Sequence, residues 1–253
     1  MHGKGYIGIV GGLGPYAGLD LVKKIFQRTK ADRDQEHLPV MLYSFPDEVP
    51  IRTAYLLGRT SQNPGEPLGR IMVSLAQGGA KIIAMPCNTA HHPKILDVAL
   101  KALHDYDPSV QFINIIESSI RQIERTCRPL SHIGILATVA TLETGLYQKE
   151  LLKKGFTPVI LNNKECMAVQ EAINSPFFGI KKTTPHISNE SRAILLNGAL
   201  RLSEKDVDAI LLGCTEIPLA ITEKELFGKK IIDATDALAI EIVNAFAPSK
   251  LLY

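Results

Sequence analysis

The feature that most constrains the fold of this chain is a strand-and-loop pattern that occurs twice. An apolar run at Tyr6–Val10 leads into a loop at Gly11–Gly14, and a similar run at His132–Leu136 leads into a loop at Ala137–Thr141. The first and second copies are offset by 126 residues in a chain of 253 residues. An offset of about half the chain predicts a duplicated unit in which each copy begins with a strand and a loop.

Two cysteines end a second pair of apolar runs with almost the same offset. Two residues separate Cys87 from Lys81–Ala84 and likewise Cys214 from Asp208–Leu211, and the cysteines are 127 residues apart. Short apolar runs that end at Pro or Gly are typical of buried parallel strands. Ligands of open α/β sheets bind at the carboxyl ends of the strands. Two halves related by a pseudo-twofold axis are therefore expected to bring the two thiols face to face across a cleft.

The rest of the chain alternates in the same way. Strand-like segments are predicted near 5–10, 38–45, 80–85, 110–115, 131–137, 157–162, 208–213 and 229–233. Helix-like segments are predicted near 16–30, 66–78, 93–106, 117–127, 142–154, 187–204 and 234–247. Such alternation predicts βαβ units and mostly parallel sheets.

The fold class expected is α/β, with two similar parallel-sheet domains related by duplication and the active site in the cleft between them. The first domain is expected to comprise residues 1–116 plus 234–253, and the second residues 117–233. Residues 234–253 are assigned to the first domain because the last helix, from Thr235 to Phe246, is expected to pack against it.

Composition excludes several classes of partner. A formal charge of +2 without a dense basic run gives no reason to expect nucleic acid. The apolar stretches are broken well short of the ~20 residues that span a membrane. Met1–Gly5 shows no signal-peptide core, and the four cysteines form no CxxC pair, which favours reduced thiols. A cytoplasmic protein is expected.

The glycine loop Gly11-Gly12-Leu13-Gly14 resembles a phosphate-binding turn, although it is neither GxGxxG nor a P-loop. One interpretation is that Gly12 allows the backbone to approach an anionic ligand at the start of a helix. The other is a tight strand-to-helix turn that needs Gly for a positive φ. Its position near the Cys87 loop favours a carboxylate over a dinucleotide.

Three interpretations of the cysteine pair compete. Metal binding could use Cys87 with His91, but no histidine follows Cys214, and zinc sites need three or four ligands. Covalent catalysis could use Cys87 with His91 or His92 as base, which leaves the second thiol without a role. The third interpretation is a pair of acid/base thiols on opposite faces of one carbon, which uses both copies of the motif.

A two-thiol site can invert a stereocentre because one thiolate removes a proton from one face and one thiol returns a proton to the other. A free thiol has a pKa of about 8.5 and needs only modest help to ionise near neutrality. The carbanion requires hydrogen-bond donors aimed at the substrate's carboxylate. The candidate donors are Asn88, Thr89, Thr138 and Thr215. The alternative role for these side chains is helix N-capping.

These segments resemble the aspartate/glutamate racemase family of cofactor-independent, two-cysteine enzymes. The matching segments span most of the chain: Gly11-Gly12-Leu13-Gly14-Pro15, Asp34-Gln35-Glu36-His37, Pro50-Ile51-Arg52-Thr53, Pro86-Cys87-Asn88-Thr89-Ala90-His91, Gly134-Ile135-Leu136-Ala137-Thr138 and Gly213-Cys214-Thr215-Glu216. The segments at Asp34–His37 and Pro50–Thr53 look more like the aspartate racemase branch.

The resemblance implies interconversion of L- and D-aspartate, a small dicarboxylic amino acid, without pyridoxal phosphate, any other cofactor or a metal. It also implies a homodimer, with Cys87 and Cys214 as the catalytic residues. Arg52 matches a position near the distal carboxylate of the substrate, and Lys181 a second cation there. Asn88, Thr89, Thr138 and Thr215 match carboxylate-binding positions.

Glu216 is expected either to orient the region of the second thiol or to cap the short helix that follows it. Other functions stay open at this point. Relatives of the same superfamily racemise glutamate or hydantoins, isomerise maleate or decarboxylate malonates, and a dicarboxylate-binding protein without activity could use the same cleft. The second thiol is the discriminating feature, since a binder has no use for two bases and a decarboxylase needs only one.

Overall fold

A computed structural model describes residues 5–253, and the expectation about Met1–Lys4 at the N-terminus lies outside the described residues. The chain forms two compact units. The first extends to Ile115 and also includes Thr235–Tyr253, and the second comprises Ile116–Ala234.

The strands are β1 (Tyr6–Gly11), β2 (Val40–Ser44), β3 (Ala80–Ala84), β4 (Gln111–Ile113), β5 (His132–Leu136), β6 (Thr157–Val159), β7 (Ala209–Leu212), β8 (Glu225–Leu226) and β9 (Lys229–Asp233). The helices are α1 (Pro15–Gln27), α2 (Arg52–Leu56), α3 (Gly65–Gln77), α4 (Pro93–Tyr106), α5 (Ile115–Thr126), α6 (Val139–Glu143), α7 (Leu146–Lys153), α8 (Asn163–Asn174), α9 (Ile180–Thr183), α10 (Asn189–Ser203), α11 (Ile217–Ala220) and α12 (Ala234–Phe246). Short 3-10 turns lie at Asp34–Glu36, Asn88–His91 and Pro248–Lys250.

The two sheets repeat one topology. The first has the order β2-β1-β3-β4, and the second has the order β6-β5-β7-β9-β8. All pairs are parallel except that of β8 with β9, so β8 is an antiparallel edge strand added to the second copy. The predicted fold class, two similar parallel-sheet α/β units, is confirmed.

In the first unit, helix α3 shows why the sequence forms a helix over the sheet. Leu68, Ile71, Met72 and Leu75 follow one another at helical spacing and are buried, and they give α3 an apolar face. That face packs against α4 and the strands β1 and β3. Full burial of such side chains contributes about 2 kcal/mol each relative to leaving them exposed. Gly69 allows the close helix approach, because a Cβ there would lie 2.9 Å from the Cβ of Ala102.

In the second unit, helix α8 was not expected from the sequence pattern. Asn162 accepts a hydrogen bond from the Glu165 N–H, and the Glu165 carboxylate accepts from the Asn162 N–H, so the two form a capping box at its start. Its buried face, which includes Cys166 and Val169, packs against α10. The single helix predicted near 142–154 is also wrong, because Gly145, with φ 69°, separates α6 from α7.

The last helix belongs to the first unit. The Arg28 guanidinium forms a bidentate ion pair with the Asp236 carboxylate of α12, with 2.8 Å between Nε and Oδ1. The Lys30 N–H donates to the Lys250 carbonyl at 2.7 Å, just after this helix. Within residues 5–253, no helix is long and apolar enough to cross a membrane.

Candidate active site

Cys87 lies where the central strand β3 of the first unit ends. It has an extended backbone (φ −156°, ψ 104°), is 6 % exposed and precedes the 3-10 turn Asn88–His91. The strand therefore fixes the position of the thiol, and the turn places Asn88 and Thr89 directly after it. Asn88 is buried and Thr89 is half-buried, so both side chains belong to the same loop as the thiol.

His91 supports this loop rather than acting as a base. Its Nδ1 lies 2.9 Å from the Cys87 carbonyl oxygen, and its Nε2 accepts a hydrogen bond from the Ile115 N–H at 3.4 Å. Burial lowers the pKa of His91 to about 4, so the ring is neutral near pH 7 and carries its proton on Nδ1. Since backbone groups occupy both ring nitrogens, the geometry argues against His91 as a metal ligand or as the base of a hydrolase. His92 caps α4 through its Nδ1.

The glycine loop at the end of β1 is next to this thiol loop, because β1 and β3 are paired neighbours. Gly12 has φ +87°, and a Cβ there would lie 2.9 Å from backbone atoms of Phe45 and Pro46. Only glycine fits that position. The Arg52 guanidinium donates from Nη2 to the Leu13 carbonyl at 2.6 Å, which holds this side chain against the loop.

Helix α2, which begins at Arg52, also packs against the 3-10 turn after Cys87. The first unit therefore brings together five of the predicted site residues: Gly12, Arg52, Cys87, Asn88 and Thr89. The half-buried guanidinium and the glycine backbone make this group suited to a carboxylate.

Cys214 occupies the equivalent position in the second unit, after β7. It is 7 % exposed, and its thiol donates to Oε2 of Glu216 with 3.0 Å between Sγ and Oε2. The Thr215 hydroxyl donates to the same oxygen at 3.4 Å. Glu216 stands at the N-cap position of α11, but its side chain makes no capping hydrogen bond. The interpretation of Glu216 as a helix cap is therefore wrong, and its carboxylate is directed to the thiol.

The surroundings keep Cys214 protonated. Burial raises the pKa of this thiol well above its ordinary value, and the charge of Glu216 raises it further. The positive charge of Lys181 lowers the pKa of Cys214, as does the Glu216 backbone N–H. Lys181 is exposed on α9, which packs against α11.

Thr138 starts the loop that corresponds to the glycine loop of the first unit. It is buried at the N-cap position of α6, and its hydroxyl lies 3.0 Å from that of Thr141 rather than capping the helix. Strand β5 pairs with β7, and the Gly213 N–H donates to the Leu136 carbonyl at 2.8 Å. The second unit therefore brings Thr138, Lys181, Cys214, Thr215 and Glu216 to neighbouring loops and helices.

Tyr147 is a residue of this site that the sequence analysis missed. It is buried on α7, its hydroxyl lies 3.2 Å from that of Ser119, and burial raises its pKa. A Cβ at Gly213 would lie 3.1 Å from the Tyr147 ring, so the ring packs directly beneath the residue before Cys214. No local pattern marks this tyrosine, and the only signal in the sequence is the glycine that makes room for it.

All four cysteines are free thiols. Cys127 follows α5 and Cys166 lies on α8, so neither stands at a strand end. Among residues 5–253, no three His, Cys, Asp or Glu side chains are grouped so that they could hold a metal ion.

The fold and the two strand-end thiols define a class: a duplicated α/β enzyme with one buried cysteine at a strand end in each unit. The sequence profile of the Asp/Glu/Hydantoin racemase family matches residues 10–242, and the chain belongs to that family.

Relatives agree with this assignment. The chain is 26 % identical to the broad specificity amino-acid racemase RacX of Bacillus subtilis (strain 168). The match extends over 247 residues and covers 95 % of this chain and 97 % of that protein. The chain is 25 % identical to the Picrophilus torridus aspartate racemase, with a TM-score of 0.76 over 98 % of this chain and 96 % of that one. It is also 25 % identical over 207 residues to a glutamate racemase of Listeria monocytogenes serotype 4a (strain HCC23), covering 77 % of this chain and 72 % of that protein. The chain is an isomerase, an amino-acid racemase.

Proposed function

We propose that this racemase interconverts L- and D-aspartate by a two-base mechanism in which Cys87 and Cys214 act on opposite faces of the substrate's Cα. The observation that carries the proposal is the equivalence of the two thiols. Each is buried at the carboxyl end of the corresponding central strand of its unit, β3 or β7, and each is followed by a short polar segment.

The protonation state of Cys214 gives the order of events for one enantiomer. Cys214 begins as a thiol, so Cys87 as thiolate removes the Cα proton and Cys214 donates its proton to the other face. The turnover leaves Cys87 as thiol and Cys214 as thiolate, which is the form that converts the opposite enantiomer. No cofactor enters this cycle, because in this turnover Cys87 gains one proton and Cys214 gives one up.

Binding of the substrate's carboxylates is proposed to lower the barrier to removal of the Cα proton further. A proton next to a carboxylate is a very weak acid, and negative charge develops on that carboxylate as the proton leaves. A donor that is aimed at such charge is typically worth ~3 kcal/mol. Asn88, Thr89, Thr138 and Thr215 are proposed to serve the α-carboxylate. Arg52 and Lys181 are proposed to bind the distal carboxylate, because a guanidinium suits bidentate carboxylate binding.

The choice of aspartate rests on the aspartate racemase of Picrophilus torridus and on the cations proposed for the distal carboxylate. RacX of Bacillus subtilis has a broad specificity, so the test must include a panel of amino acids. A homodimer in the cytoplasm remains part of the proposal.

The test is conversion of L-aspartate to D-aspartate, measured by chiral chromatography beside glutamate and neutral amino acids. We expect the highest kcat/KM with aspartate, without added pyridoxal phosphate or metal. Cys87→Ser and Cys214→Ser should each abolish conversion. Cys166→Ser is the matched control, because this thiol is buried on α8 and donates instead to the Leu161 carbonyl. Full activity in either single variant would refute the two-thiol mechanism, and a higher kcat/KM with glutamate would refute the substrate.

A further inference from the structure

The carboxylate of Glu216 has no structural task that explains its position. The side chain is 4 % exposed, and Oε2 accepts hydrogen bonds from Cys214 and Thr215. Oε1 is buried and has no hydrogen-bond partner within residues 5–253. A buried carboxylate is costly unless it is fully bonded, so an unsatisfied oxygen beside a catalytic group calls for a functional explanation.

We propose that Glu216 is a positioning residue that holds Cys214 in its thiol form, so that Cys214 enters the catalytic cycle as the proton donor. The proposal rests on the two-thiol function proposed above. Its geometric basis is the 3.0 Å contact between Sγ and Oε2, with the thiol as donor and the carboxylate as acceptor. Loss of the thiol proton would leave two negative charges in contact in a buried site, which is strongly unfavourable.

The other charged and titratable groups around Cys214 modify the effect of Glu216 on its protonation. The positive charge of Lys181 on α9 and the Glu216 N–H both favour the thiolate form of Cys214. Tyr147 of α7 packs beneath Gly213 and is itself influenced by Asp233 at the end of β9. On α10, the Arg192 guanidinium is engaged by the Glu223 carboxylate and the Ala220 carbonyl.

The first unit has a different arrangement, which makes the two thiols unequal. The residue that corresponds to Glu216 by its spacing from the cysteine is Thr89, a neutral side chain. The titratable side chain within the Asn88–His91 turn is the neutral His91, which is bonded to the backbone. The duplication therefore supplies two thiols, and Glu216 distinguishes one of them from the other.

The test is the pH dependence of alkylation by iodoacetamide, followed at each cysteine by peptide mass spectrometry in the full-length protein. Glu216→Gln removes the charge and keeps the shape of the side chain. We expect the midpoint for Cys214 to fall by about one pH unit or more, which raises its alkylation rate near pH 8 about tenfold. Cys87, measured in the same samples, is the internal control and should keep its midpoint.

A structural role alone predicts another result. If the substitution only loosened the loop, the plateau rate at high pH would rise for Cys214 while its midpoint stayed in place, and this would overturn the proposal. Glu216→Asp, which withdraws the carboxylate by one methylene, should lower the midpoint by a smaller amount and serves if the Gln variant does not fold. Because alkylation needs no substrate, an unmoved midpoint in a chain that still racemises aspartate rejects this role and leaves the two-thiol function standing.

Discussion

The buried imidazole of His91 makes the stability of this protein depend on pH in a way that can be calculated. The pKa of His91 is about 4 in the folded chain, against about 6.5 for an unfolded one. The folded state therefore holds the neutral ring, and the unfolded state binds the proton more tightly. The stabilisation is fully present above about pH 6.5 and is lost as the pH falls toward about 4. Linkage gives a loss of ~2 kcal/mol on going from pH 7.5 to pH 5.

His91→Asn tests this calculation. An Asn side chain can still donate to the Cys87 carbonyl from its amide, but it cannot titrate. At about pH 7.5 the variant should be less stable by ~1–3 kcal/mol, because it loses ring packing and the bond from Ile115. By about pH 5 this difference should shrink by ~2 kcal/mol, since only the wild type still loses stability from the ring.

The measurement is urea unfolding of both proteins at the two pH values. His104→Gln, which removes an exposed imidazole of α4, is the matched control and should keep the wild-type pH dependence. A His91→Asn variant whose stability difference from the wild type is the same at both pH values would refute the assignment of His91 as a neutral, buried support of the Cys87 loop.

Three further predictions test the site and the fold. Arg52→Ala should raise KM for aspartate at least ~10-fold while the protein still folds, which steady-state kinetics and circular dichroism measure; an unchanged KM would exclude this side chain from carboxylate binding. Gly12→Ala should cost ~2 kcal/mol or more in urea unfolding, because the new Cβ meets backbone at 2.9 Å. Gly58→Ala, with φ +70° but nothing within 4 Å, should cost only ~1 kcal/mol, and equal losses would contradict the steric argument. Asn162→Ala should cost ~1 kcal/mol by removing a helix cap, whereas Asn163→Ala, one residue further on, should cost less; equal losses would contradict the capping box.

The sequence was sufficient for the parallel strands and for the two thiol loops. Apolar runs such as Lys81–Ala84 are soon followed by Pro or Gly, and this local signal predicts a buried strand and its carboxyl end. The 127-residue offset of the cysteines added the duplication, which no single segment could show.

The short helices and α8 were harder to predict. The helix after Asn162 has a clear capping box, but the predicted strand near 157–162 was too long and covered the N-cap, since the strand ends at Val159. The five-residue helix that begins at Arg52 and the four-residue helix after Glu216 are too short to show a helical period, and tertiary packing holds them.

The chemistry of the second unit depended on contacts that sequence spacing does not encode. Tyr147 is 67 residues from Cys214 along the chain, and its place beneath Gly213 appears only after β5 and β7 pair. The sequence left two alternatives for Glu216, a helix cap or a contact with the region of the second thiol, and only the structure shows that its side chain is directed to the thiol.

The two-base mechanism is tested most directly by measuring deuterium at Cα of each aspartate enantiomer during the first turnovers in D₂O. Starting from L-aspartate, two different thiols should give D-aspartate that carries deuterium at Cα from the outset, while the recovered L-aspartate keeps its hydrogen. Early deuterium in the recovered L-aspartate, at the same level as in the product, would show that one exchanging base serves both faces and would contradict the account.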